Sequence, residues 1–150
     1  SKLLDLGAFC NGILAGLVSI TAPCGFVKPW EAVIIGGIGA LVYQGASMLM
    51  KRLKIDDVVD AFAVHGACGL WGLLAAGLFG DRDHGYGDGA FYGYGGAQLG
   101  TQIVAAIVIT LWVGPFSAII FFPLKMLGAL RLSDEFQDKG ADIMEHSPPK

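Results

Sequence analysis

Charge is absent from four long stretches of this sequence. Residues 6–27, 32–50, 61–80 and 89–124 contain no Asp, Glu, Lys or Arg, and together they cover 97 of the 150 positions. A helix needs about 20 apolar residues to cross the ~30 Å hydrocarbon core of a bilayer. Each stretch is therefore long enough to span, and the last leaves room for a loop as well. The pattern predicts an all-α membrane protein, a polytopic transmembrane helix bundle with about four spans. The first span runs from Leu6 to Ile20 and is broken by Thr21-Ala22-Pro23-Cys24-Gly25, since Pro and Gly together punctuate a helix. Lys28-Pro29-Trp30-Glu31 opens the second, with Pro29 suited to a first helical turn. A basic collar, Lys51-Arg52-Leu53-Lys54, closes it, and Asp56, Asp57 and Asp60 precede the third span, where carboxylates complement a helix N-terminus. The segment from Gly80 to Gly96 reads as an exposed loop, and the fourth span runs from about Gln98 or Ile103 to Leu124. Residues 1–124 thus form the transmembrane region and 125–150 a tail.

Composition sharpens this picture by exclusion. With 54% hydrophobic residues, 15% charged and 23 glycines, the chain departs from soluble usage, where Gly is about 7%. A β-barrel is excluded because its strands alternate apolar and polar residues, whereas 61–80 is apolar on every side. The net charge of -3 and the lack of a basic run exclude nucleic acid as a partner, because phosphate binding needs clustered Lys and Arg. Cys10, Cys24 and Cys68 lie inside apolar stretches and read as packing residues, not as a disulfide framework. Small residues recur every four positions at Gly12 and Gly16, at Gly36 and Ala40, and at Cys68, Gly72, Ala76 and Gly80. Helices in lipid associate at such ridges. Four spans place eight of the ten basic residues on one side and only Lys28 and Arg82 on the other, so the termini, the collar and the Asp cluster are expected to be cytoplasmic. The chain opens Ser1-Lys2 with no signal-peptide layout, and is expected to be a piece of something longer.

Candidate chemistry is sparse. His65 is the one imidazole in the four stretches, in the first turns of the third span. An intramembrane ionisable group is costly and points to function. On an α-helix it shares a face with Cys68, Gly69 and Gly72 and is expected to turn into the small-residue packing face. The residues alone leave three readings: a histidine hydrogen-bonded to a neighbouring helix, a metal or haem ligand, or part of a conduction pathway in which a neutral ring takes a proton or binds a small polar solute. A lone His-x-x-Cys spacing, with no second ligand pair, supports no metal site, and no cofactor is expected. Asp57 and Asp60 are expected either to cap the third span or to form the cytoplasmic end of a pore. The Gly-rich loop lacks a phosphate-binding register, no nucleophile-base-acid arrangement appears, and the chain is not expected to be an enzyme. The tail carries Asp134, Glu135, Asp138, Asp142 and Glu145, and reads as a solvated terminus in which Ser133 and Ser147 are candidate phosphorylation sites.

The stretch LKIDDVVDAFAVHGACGLWGLLAAGLF (residues 53–79) resembles the ammonium transporter family, the Amt/Mep/Rh group, with the acidic pair, the His-Gly and the small-residue run in the family's order. CNGILAGLVSITAPCGFVKPWEAVIIG (10–36), FYGYGGAQLGTQ (91–102) and ALRLSDEFQDKGADIMEH (129–146) support it. The likeness is to the Amt/Mep branch. It implies spans eight to eleven of an eleven-span inverted-repeat transporter that forms homotrimers in the plasma membrane, with the C-terminus cytoplasmic. Ammonium or methylammonium is then the substrate, deprotonated and passed as ammonia through an apolar, His-lined pore, half of which this chain lacks; an ammonium sensor signalling through the tail is the alternative. By the same resemblance His65 matches the second pore histidine, Asp57 an acidic residue that mirrors one near the recruitment region, and Thr21 lies at the outer end of span eight. Asp142 and His146 fit the family's tail, which couples subunits and offers a site for a cytoplasmic regulator. Pro23 and the closing Ser147-Pro148-Pro149-Lys150 depart from the family pattern.

Overall fold

The computed structural model describes residues 5–84, 87–140 and 143. Among them every regular element is helical: α1 (Leu6–Thr21), α2 (Pro29–Arg52), a π-helical turn (Phe62–Ala67) leading into α3 (Cys68–Phe79), α4 (Ala97–Met126) and the short α5 (Asp134–Lys139). The chain divides into two compact units, Ser1–Ile107 and Val108–Lys150.

Local chemistry explains the helix ends. Asp5 caps α1 by accepting the Ala8 N–H at 3.1 Å. Pro29 takes the first position of α2, where its missing N–H costs nothing. Glu31 reaches back to accept the Lys28 N–H at 2.7 Å, one half of a capping box. Three helical stretches, Pro29–Arg52, Phe62–Phe79 and Ala97–Met126, are long and apolar enough to cross a membrane. With 16 residues, α1 extends only ~24 Å at 1.5 Å per residue.

Small residues set the packing of the first unit. The buried positions of α2 are Glu31, Ile35, Gly39, Tyr43 and Ser47, an unbroken ridge at i+4 spacing. It meets Ala15 and Ser19 of α1, where Gly16 and Gly36 bring the two backbones together. A β-carbon built on Gly16 would lie 3.6 Å from the Gly36 oxygen. The α3 ridge predicted from Cys68, Gly72, Ala76 and Gly80 is buried as expected, and a β-carbon at Gly72 would come within 2.7 Å of the Ser19 carbonyl oxygen. Two apolar clusters result, Ala15, Tyr43, Ala63, Val64 and Cys68 in one and Ile35, Ala75 and Phe79 in the other. The Trp71 indole N–H donates to the Ile35 carbonyl at 3.0 Å, which keeps that polar edge satisfied inside the bundle.

Two expectations are corrected. The third span does not run as a uniform α-helix, because residues 62–67 close i→i+5 turns. That wider turn rotates His65 out of register with Cys68 and Gly72. Ala63, Val64 and Cys68 are buried, whereas His65 is exposed on the chain's surface. The segment from Gly80 to Gly96 is also not wholly exposed. Asp81, Gly87 and Gly89 are buried, the Gly89 N–H donates to the Gly80 carbonyl at 2.8 Å, and the rings of Phe79 and Phe91 meet edge to face at 5.0 Å.

The first turns of α4 are set against α3, since a β-carbon on Gly77 would lie 2.6 Å from Leu99 Cα. None of the 30 residues of α4 is buried. At ~45 Å it exceeds a hydrocarbon core of ~30 Å, a mismatch that helices meet by tilting or by protruding. In the second unit Trp112 and Phe116 pack at 5.0 Å, and Ser133 caps α5 by accepting the Phe136 N–H at 3.3 Å. Asp142, His146 and Ser147 lie outside the described residues.

Candidate functional site

At the end of the bundle where α2 stops and the third span begins, the chain brings Asp57 and Asp60 together with groups from α1 and α2. The two carboxylates do different things. Asp57 accepts the N–H groups of Ala61 at 2.7 Å and Phe62 at 2.9 Å, so it caps the helical stretch that carries His65. Asp60 turns toward α2, accepting the Tyr43 hydroxyl at 2.9 Å and the Ser47 hydroxyl at 2.8 Å. Its φ of 55° is left-handed, a conformation non-glycine residues adopt at a cost. Those two long-range hydrogen bonds hold it there. Burial works against the Asp60 carboxylate, but the bonds from Ser47 and Tyr43 and the charge of Lys51 outweigh it, so its pKa lies below the ordinary carboxylate value. A cleft of about 380 Å³ opens at this end, lined by both carboxylates and by Asn11, Tyr43, Ser47 and Lys51.

His65 lies in the π-helical turn, on the exposed surface of the chain. Short π segments inside helices are frequent at functional sites, because the i→i+5 register re-aims side chains. Thr21 lies at the far end of α1, and its hydroxyl donates to the Leu17 carbonyl of the same helix at 2.7 Å. The structure thus gathers Asp57 and Asp60 and leaves His65 and Thr21 apart from them. No group of three or more His, Cys, Asp or Glu among the described residues is placed to hold a metal ion.

Sequence reasoning missed Tyr43 and Ser47. Both are polar positions on the four-residue ridge that begins at Glu31, within an otherwise apolar span, and that spacing was the available signal. It also missed a polar network at the opposite end of the bundle. There the buried Asp81 carboxylate receives Lys28 Nζ at 3.0 Å and sits 3.1 Å from His84 Nδ1, while the Tyr92 hydroxyl donates to the buried Glu31.

Apolar spans, close small-residue crossings and polar groups gathered at the helix ends define a polytopic helical membrane protein. The chain belongs to the Ammonium Transporter Family, whose model matches residues 1–149. It is 40% identical over 146 residues to ammonium transporter 1 member 1 of Arabidopsis thaliana, covering 91% of this chain and 29% of the relative. It is 39% identical over 150 residues to ammonium transporter Amt2 of Archaeoglobus fulgidus, covering 95% of this chain and 32% of that protein. The chain therefore spans about a third or less of the length of these curated relatives. Among solved structures, the crystal structure of Saccharomyces cerevisiae Mep2 matches with a TM-score of 0.74 at 30% identity, over 84% of this chain and 30% of that one. A structure described as a sensor Amt protein matches with a TM-score of 0.78 at 34% identity, over 97% and 36%.

Proposed function

We propose that the protein carrying this chain moves ammonium across a membrane, with His65 in the conduction path. The observation that carries this reading is the family match over residues 1–149, joined to curated relatives that are named ammonium transporters. The π-helical turn leaves the His65 ring on the exposed surface of the chain, available to line a pore completed by spans outside these residues. A neutral imidazole there hydrogen-bonds ammonia without carrying a charge into an apolar pore, where an unpaired ion would meet a large desolvation cost.

On this reading Asp57 supports the pore by fixing the start of the His65 helix, and Asp60 ties that start to α2. Thr21 stands at the outer end of its span. The basic collar and the C-terminal tail face the cytoplasm, three copies assemble as a homotrimer in the plasma membrane, and the tail, with Asp142 and His146, docks under a neighbouring subunit or receives a cytoplasmic regulator. A signalling role is not favoured, although the sensor Amt protein shares the fold, since the curated relatives described above are named transporters. Uptake of labelled methylammonium into vesicles holding the full-length protein tests the proposal. Uptake above that of protein-free vesicles, suppressed by unlabelled ammonium, is expected; none would overturn it.

A further inference from the structure

The polar network at the Lys28 end of the bundle is built from four separate places in the chain. Lys28 and Glu31 come from the start of α2, Asp81 follows α3, His84 ends the single turn Arg82–His84, and Tyr92 ends the turn Ala90–Tyr92. Asp81 and Glu31 are each only 1% exposed. A buried carboxylate is tolerated when its oxygens are paired, and here one pairing of each carboxylate, Asp81 with Lys28 and Glu31 with Tyr92, joins distant parts of the chain. Asp81 takes Lys28 Nζ at 3.0 Å and the Asp83 N–H at 3.1 Å, with His84 Nδ1 at 3.1 Å. Glu31 takes the Lys28 N–H at 2.7 Å and the Tyr92 hydroxyl. Lys28 is the common member, because its ammonium also lies 4.7 Å from the centre of the Tyr92 ring, within cation–π range.

Beside these bonds the segment is held by two backbone hydrogen bonds, the Asp81 N–H on the Phe26 carbonyl at 2.9 Å and the Gly89 N–H on the Gly80 carbonyl at 2.8 Å. Residues 81–84 and 87–94 are polar and Gly-rich, and where they cross α3 the contact is backbone on backbone. A β-carbon on Gly89 would lie 2.5 Å from the Gly80 oxygen. Phe91 on Phe79 is the one ring contact anchoring the segment to α3 among the described residues. The second charged pair, Arg82 with Asp88, is exposed, so solvent screens it and it contributes little.

We propose that Lys28, Glu31, Asp81 and Tyr92 form a clasp that seats residues 81–84 and 87–94 on the ends of α2 and α3, and that its release frees those residues without unfolding the helices. Lys28 is its post. The clasp is independent of what the protein transports, so its test does not depend on transport.

Hydrogen exchange of the full-length protein in lipid nanodiscs, read peptide by peptide, decides the matter. In Lys28→Met, amides of residues 81–84 and 87–94 exchange ~10-fold faster or more than in the unaltered protein, while α1 and the interior of α3 keep their protection, as expected for a local opening. Tyr92→Phe removes a single hydroxyl and leaves the ring, so it tests the clasp even where the Lys28 variant folds poorly. It accelerates the same amides by roughly 3-fold. Arg82→Ala changes them by less than about 2-fold. Unaltered exchange in Tyr92→Phe, or acceleration spread evenly through α1 and α3, would overturn the clasp.

Discussion

Asp60 shows how a single side chain can join two spans. Its carboxylate reaches the Tyr43 and Ser47 hydroxyls of α2 from the turn that begins the third span, and its left-handed backbone is held by those bonds. Because its folded pKa lies below the usual value, which is about 3.9 when unfolded, the unfolded chain binds the proton more readily. Asp60 therefore stabilises the fold at pH values above about 4, and that contribution is lost as pH falls through its lowered folded value. Asp60→Asn should unfold at a lower temperature than the unaltered protein at pH 7, with the gap narrowing below about pH 4. A gap that stays constant from pH 7 to pH 3 would contradict the assignment. The spacing of Tyr43 and Ser47 could have marked them, but their pairing with Asp60 was not legible in the sequence, because they stand 17 and 13 residues away and nothing local links an Asp before one helix to hydroxyls in another. Asp57 was legible as a cap because capping is local: its carboxylate accepts the N–H groups four and five residues on.

The helices themselves were legible for a different reason. Exclusion of charge marks a span whatever its neighbours do, and α2 runs to Arg52 at the basic collar as expected. Ridges of small residues were equally readable, since Gly and Ala matter in a membrane helix by permitting close approach. Gly72 makes that contact testable. A methyl group there would meet the Ser19 backbone oxygen at 2.7 Å, and backbone cannot move aside as a flexible side chain can. Gly72→Ala should cost about 1–3 kcal/mol, seen as a lower thermal unfolding midpoint, and an unchanged midpoint would show that α1 and α3 have slack between them. The π-helical turn was not legible. Hydrophobic periodicity distinguishes registers only where apolar and polar residues alternate, and residues 61–80 are apolar on all sides, so an i→i+5 turn leaves no trace in them. That is why His65 was expected on the Cys68 face and instead lies on the exposed surface of the chain. The network around Lys28 escaped for the reason that hid Tyr43: its pairs, 28 with 81 and 31 with 92, are far apart in sequence.

For the molecule as a whole, a surface of exposed apolar residues along α1, α2 and α4 belongs to a protein whose solvent is lipid or further helices. Family membership over residues 1–149 and the limited share of each relative that the chain covers fit a pore built by more spans than these. If His65 serves conduction as proposed, and not packing, the two roles part in a single variant. His65 is exposed within this chain and stands outside its two buried apolar clusters, so shortening its ring leaves the packing among these helices in place. The decisive measurement is methylammonium uptake by the full-length protein bearing His65→Ala, alongside its thermal unfolding midpoint. Uptake should fall at least ~10-fold, equivalent to a barrier raised by about 1.4 kcal/mol, with the midpoint unchanged. Uptake equal to that of the unaltered protein would contradict the proposal.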